Sequence, residues 1–329
     1  YVVRGDVEYD GNFAFGSNNS VDVNLILADG AKLTVRNSGP YFKNLAIYAQ
    51  SKGENMGQFD IDADYSAVEV DENFVLNGGV LTATGTSKGI HAYGNVSITG
   101  GVLKATGEGK AQLPSMGLSG HGGSIAFATY GIYANGNVEI TGGVVEATGN
   151  SEGIYAQKDI ILGWTDMAND RITASSFFSF RGTVKIADSK IFADENGYAY
   201  LGTLSGKSLA AIAGKTLRPT DAAYTLAFVT GDKNVVIEPL LLASGAIPSK
   251  PKDPVRSGYK FLDWFADEDF KTEFDWTKPL VMDTTLFAKW EPLPAVVLPA
   301  VAYLDENGVE QTVTDYTLLT GNESANDAV

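Results

Sequence analysis

The chain contains no cysteine, which excludes disulfides, thiolate nucleophiles and thiolate metal sites. Histidine is nearly as scarce: His91 and His121 stand far apart, and no Ser-His-Asp order accompanies them. No stretch approaches the roughly 18 to 20 consecutive apolar residues of a membrane helix. Positive charge is in deficit, with 24 Lys and Arg against 40 Asp and Glu, a net charge of -16. Such a surface repels nucleic acid and anionic membranes, so neither a nucleic-acid partner nor a membrane span is expected.

What is present is glycine and short-range repetition. Apolar residues make up 44% of the chain and 37 residues are glycine, a composition that suits turn-rich β structure. The phrase GGVLTATG at 78–85 returns as GGVLKATG at 100–107 and as GGVVEATG at 142–149. Aligning Leu76, Ile98, Ile140 and Leu162 gives one long step between two equal short ones. The long step is one coil plus an inserted segment at about 109–129, which holds Leu113, Met116, Leu118 and His121.

Within a coil, Val96 and Ile98 alternate with Ser97 and Thr99, Gly100-Gly101 turns, and Leu103 and Ala105 alternate with Lys104 and Thr106. A third short strand follows in Gly89-Ile90-His91-Ala92, Gly131-Ile132-Tyr133-Ala134 and Gly153-Ile154-Tyr155-Ala156. Three strands per coil of about 22 residues predict a parallel β-helix solenoid. It is expected over residues 1–222, with Val184, Ile186, Ile191 and Ala193 continuing the pattern.

From Tyr224 the pattern changes to proline-spaced, aromatic-rich strands. Gly258-Tyr259-Lys260-Phe261-Leu262-Asp263-Trp264-Phe265 and Thr285-Leu286-Phe287-Ala288-Lys289-Trp290 resemble the internalin-type B-repeat family, the Listeria-Bacteroides repeat. The resemblance covers about 223–292 and implies a small β-grasp-like module of bacterial surface proteins. The family's Asn-Gly-Gly turn is replaced by Thr230-Gly231-Asp232. Tyr259, Phe261, Trp264, Phe274, Trp276, Phe287 and Trp290 supply aromatic area for its core. A Pro-rich linker at 293–300 and a strand-forming tail at 301–329 complete the division. The all-β solenoid also resembles glycine-rich β-helical regions of secreted bacterial proteins, some of them carbohydrate-binding.

Three groups of residues are candidates for function. Tyr48, His91, Tyr133, Tyr155 and Phe192 are expected to form one outward row on stacked coils, with Lys104, Glu146 and Asn135 nearby. Such a row either stacks on sugar rings or stacks on itself for stability. Asp60, Asp62 and Asp64 alternate along one strand with Glu69 and Asp71 near; calcium needs about six to eight oxygens, and a solvated acidic face is the other reading. No cofactor beyond that possible calcium is expected. The third group is the two ends. Tyr303, Leu304, Tyr316, Leu318 and Leu319 resemble the lead-in that precedes a strand such as Tyr1-Val2-Val3 in related surface proteins; either the tail folds back on its own molecule, or copies of the chain join head-to-tail.

Catalysis demands paired carboxylates across a cleft, or a base with metal and arginine. Ser97, Thr99, Glu139 and Thr141 face outward without a matching acid cluster, and Arg171 and Arg181 lie in later coils. The expectation is a non-catalytic extracellular or cell-surface structural and adhesive protein. A glycan-binding surface protein is the alternative, with a polysaccharide lyase or hydrolase after it.

Overall fold

The computed structural model describes residues 1–11, 21–109, 128–294 and 300–313. It is nearly all β, and the first two thirds form a β-solenoid of about 7 turns with about 24 residues per turn. The average exceeds the sequence repeat because only the central coils keep the minimal length; Asn95 bonds to Asn73 at a separation of 22, whereas Asn73 bonds to Asn44 at 29.

Each full turn supplies a strand to three faces. The first face stacks Asp22–Leu27, Asn44–Ala49, Phe74–Leu76, the start of Val96–Gly107, the start of Val138–Thr148, Ile160–Leu162 and Val184–Ile186, all parallel. The second face runs from Asp6–Asp10 through Lys32–Asn37, Gln58–Ala63 and Val80–Gly85 to Arg171–Ala174. The third stacks Tyr41–Phe42, Ser66–Val70, Lys88–Ala92, Tyr130–Ala134, Glu152–Ala156 and Phe177–Ser179. Val96 pairs directly with Val138, so the long sequence step is a single step in space. The inserted residues 110–127, among them Leu113, Met116, Leu118 and His121, lie outside the described residues.

The alternation read from sequence is the burial pattern observed. Asp22–Leu27 alternates exposed and buried, as does Val80–Gly85 between half-buried and buried. Inward residues join one apolar cluster from Val3 to Leu217. Removing this surface from water drives the fold, at roughly 25 cal/mol per Å2.

The parallel pattern stops earlier than the sequence suggests. Ile191–Ala193 pairs antiparallel with Ala199–Tyr200 and with Thr216–Thr220, and Thr203–Leu204 pairs antiparallel with Val184–Ile186. These strands and the short helix Lys207–Ile212, which buries Ile212, close the end of the core. Asp194 fixes the cap by accepting from the N–H groups of Asn196 and Tyr198 and from the Tyr200 hydroxyl.

The following module is a four-stranded sheet. Ala223–Val229 and Thr284–Pro292 are parallel at its centre, and Leu240–Ala243 and Tyr259–Phe265 flank them antiparallel. Trp264 is fully buried among Leu226, Leu242, Leu280, Leu286 and Ala288, with Phe261, Phe274, Trp276 and Trp290 packed around them. Tyr259 departs from the aromatic core expected of it: it is exposed and lies under the Arg256 guanidinium at 4.0 Å. Thr230 replaces the expected turn chemistry; its hydroxyl donates to the Val235 carbonyl and its own carbonyl accepts from Trp290 Nε1. The module meets the cap where Tyr198 bridges to Leu242 and Ala243 N–H donates to Gly197 O at 2.8 Å. Beyond it, Val301–Leu304 and Glu310–Val313 form a hairpin.

Candidate functional site

The third face carries the aromatic row, and its members are fixed by strand register. Tyr41, Glu69, His91, Tyr133, Tyr155 and Phe178 occupy equivalent positions on successive coils. Tyr133 and Tyr155 stack at 4.6 Å with planes 9° apart, and Tyr155 stacks on Phe178 at 5.7 Å. His91 meets Tyr133 edge-on at 5.2 Å, and Tyr130 packs edge-on against both tyrosines.

Two residues expected in this row lie elsewhere. Tyr48 is on the first face beside Ile26, because the third-face strand of its coil is only Tyr41–Phe42 and the chain has already turned the corner by Asn44. Phe192 is fully buried in the antiparallel cap, where it closes the core. Lys104 and Glu146 also leave the strip: they face each other at 3.8 Å on the second face.

Stacking has a chemical consequence. In a parallel stack each ring covers its neighbour's face, so Tyr155 between Tyr133 and Phe178 offers solvent mainly its edge. Sugar stacking needs an open ring face, so the geometry favours the row as an inter-coil ladder of the kind found in stacked-strand architectures.

At the row's upstream end lies a polar cluster. His91 is 7% exposed and Lys88 8% exposed, and Lys88 Nζ sits 4.8 Å over the Tyr65 ring and 5.4 Å over Tyr133. His91 Nδ1 lies 3.6 Å from Glu69 Oε1, longer than a direct hydrogen bond, and Tyr93 OH donates to the same oxygen at 3.3 Å. His91 first, then Tyr93 and Lys88, hold the Glu69 carboxyl below its ordinary range against the opposing effect of burial. A carboxylate with a depressed folded pKa stabilises above its unfolded value, about 4.3, and loses that contribution as pH falls through the folded value. Glu69→Gln is therefore expected to flatten the acid limb of a plot of urea midpoint against pH below about 4.5. An unchanged acid limb contradicts this assignment.

One carboxylate of the acidic strand is paired with a cation. Asp60 and Asp62 project from Gln58–Ala63, but Asp64 falls beyond that strand, in the following turn. Asp60 pairs with Lys32 at 2.7 Å, and on the preceding coils Arg36 Nε donates to Glu8 at 3.0 Å. Among the described residues no group of three or more His, Asp or Glu gathers closely enough to hold a metal.

The sequence reading missed an asparagine ladder along the corner before the first face. Asn44 Oδ1 accepts from Asn73 N–H, Asn73 Oδ1 from Asn95 N–H, Asn95 Oδ1 from Asn137 N–H, and Asn137 Oδ1 from Asp159 N–H, at 2.8 to 3.1 Å. Asp159 then accepts from Thr183 N–H at 2.7 Å and from its hydroxyl. The signal was the recurrent Asn immediately before the first-face strand in three successive coils, Asn73-Phe74, Asn95-Val96 and Asn137-Val138. Asn95→Ala removes an acceptor for one coil and a donor to another. It is expected to cost about 1–2 kcal/mol in urea unfolding, while an effect under a few tenths contradicts the ladder's role.

The mixed sheet around Trp264 has a counterpart among known domains. Residues 224–289 match the family model of the Listeria-Bacteroides repeat domain. This Listeria-Bacteroides repeat thus sits on a β-helix, joined to its cap through Tyr198 and Ala243. The repeat domain is not catalytic and is typical of surface proteins. A search of curated proteins found no match to the chain. No helix among the described residues is long and apolar enough to cross a membrane.

Proposed function

We propose that the chain is a non-catalytic extracellular element with a structural and adhesive role, in which copies join head-to-tail by strand addition. The observation that carries the structural reading is the use of repeated surface residues for bonds between coils. The aromatic row, the asparagine ladder and the ion pairs on the second face all connect one turn to the next. That arrangement suits a stiff rod rather than a reaction cleft.

The assembly step draws on the two ends of the described chain. Among the described residues Val2–Val3 pairs on one side only, with Asp22–Leu27, and Val2 is 53% exposed. The hairpin of Val301–Leu304 and Glu310–Val313 pairs only with itself among the described residues, with Leu304 70% exposed. An edge strand with unspent backbone groups is a template for another strand, and the exposed, largely apolar first strand of the hairpin, Val301–Leu304, is a suitable donor. Tyr316, Leu318 and Leu319, expected to share this role, lie outside the described residues. In a longer protein a preceding segment would take the same edge, so the test is made on this chain alone. Sedimentation of residues 1–329 at rising concentration is expected to show species larger than the monomer. Deleting 301–329 is expected to return the monomer at every concentration; equal sizes for both forms overturn the assembly step.

A glycan-binding surface protein is the second reading. Exposed aromatic residues favour it, among them Tyr48 and Phe178 at the open end of the ring stack.

A further inference from the structure

The displacement of Tyr48 from the aromatic row places it in a different feature. At the corner between the first and second faces, three consecutive coils turn on glycine pairs: Gly78-Gly79, Gly100-Gly101 and Gly142-Gly143. The coils on either side turn through longer loops, 50–56 and 163–170. Low turns between high ones leave a trough of about 540 Å3, inside the roughly 300–1,000 Å3 range of small-ligand sites.

Both walls are anchored. Asp29 holds one through Ser51 Oγ at 2.8 Å, while Gly30 N–H donates to Asn55 O at 2.9 Å. Buried Asp170 holds the other: it accepts from Gly143 N–H at 2.6 Å, Thr165 N–H at 2.8 Å and Asp166 N–H at 2.7 Å. A site formed by fixed walls loses little ordering entropy when it binds.

The lining is amphipathic. Tyr48 is 38% exposed and stands with Met56 on one wall, and Asp166 and Asn169 stand on the other. Asn77 and Thr99 lie between them, with Thr99 Oγ1 donating to Asn77 Oδ1 at 2.6 Å, so the Asn77 amide N–H groups remain for a ligand. Asn169 holds the Asp166 carboxyl below its usual range, aided by backbone N–H groups and by Lys52 on the opposite wall.

We infer that this trough binds a short segment of neutral glycan. One partly exposed ring, carboxamides, a hydroxyl and an ionised acceptor match the alternating apolar faces and hydroxyl edges of a sugar chain. An extended peptide finds no strand edge here, because floor backbone groups already bond across coils, as in Val80 N–H to Gly57 O and Val102 N–H to Gly79 O. A polyanionic glycan meets Asp166 and a chain of net charge -16.

The inference rests on the adhesive reading and names its ligand class. The probes are cellotetraose, maltotetraose, mannotetraose and chitotetraose, with tetragalacturonate as the anionic comparator, titrated calorimetrically into the full chain. At least one neutral tetrasaccharide is expected to bind saturably at a single site. Tyr48→Ala is expected to weaken it at least about tenfold and Asp166→Asn several-fold, whereas Tyr155→Ala leaves it unchanged. Tyr48→Phe, which keeps the ring and its packing, retains most of the affinity. Binding to no neutral probe, preference for tetragalacturonate, or affinity that survives both Tyr48→Ala and Asp166→Asn overturns the inference. Loss on Tyr155→Ala instead of Tyr48→Ala also overturns it and moves the glycan to the ring stack. Concentration-dependent particle size is read separately, so failure of the trough and failure of the assembly reading are distinguishable.

Discussion

Gly143→Ala is expected to lower the stability of the β-helix by about 2–4 kcal/mol, read as a fall in urea midpoint with an unchanged slope. Two effects add. Gly143 has φ of +91°, a left-handed conformation that costs a non-glycine residue about 1–3 kcal/mol. A Cβ there would also lie 2.7 Å from the Gly101 carbonyl oxygen and 2.9 Å from the Gly100 carbonyl carbon, both backbone atoms of the coil beneath. Coils stack about 4.8 Å apart and cannot separate locally without breaking ladder hydrogen bonds. Gly202 provides the control: its φ is +64°, but a Cβ would meet nothing within 4 Å. Gly202→Ala should therefore show the conformational cost alone. Equal losses for the two variants contradict the stacking argument.

Asp170→Ala is expected to cost about 2–4 kcal/mol and to loosen one wall of the glycine trough. The carboxylate is buried and holds three backbone N–H donors at 2.6 to 2.8 Å. Its removal strands the Gly143 donor inside the turn and frees the other two to solvent. An unsatisfied buried donor costs about 1–3 kcal/mol, and bonds to a charged acceptor are the stronger kind. Amide hydrogen exchange at Gly143, Thr165 and Asp166 should accelerate most, with the distant Asn95 amide little changed. Asp170→Asn keeps one acceptor oxygen and should recover part of the loss. A stable variant with unaltered exchange at those amides contradicts the anchoring role.

Much of the fold was legible because a solenoid writes its periodicity into the chain. Leu81, Leu103 and Val145 recur with the glycine pairs beside them, and the structure pairs these residues directly. The misplacement of Tyr48 has a specific cause. Its coil keeps only Tyr41–Phe42 on the third face, and Asn44–Ala49 has the same apolar alternation as a third-face strand. Alternation reports which side chains point inward, but not which of three faces a strand lies on. Phe192 was misread for a related reason: alternation put Ile191 and Ala193 inward, but in the antiparallel cap Phe192 enters the core and Ile191 is left half-buried.

The side-chain ladders were harder to read. An Asn before an apolar strand is an ordinary turn signal in one coil, and it becomes a ladder only when register places Asn73, Asn95 and Asn137 over one another. The trough was illegible for the same reason, since its walls, loops 50–56 and 163–170, are far apart in sequence. The module was the most readable part, because Tyr259–Phe265 and the strand at Thr284–Pro292 carry distinctive aromatic spacing. Even there, Leu226, Leu242 and Leu286 share the centre with Trp264, beside the aromatic residues read from the sequence.

The most direct test of the structural role is electron microscopy of the purified chain beside a version ending at Pro299. Filaments or chains of rods in the full-length sample, and single rods in the shortened one, are the predicted result. Single particles in both samples would contradict head-to-tail assembly.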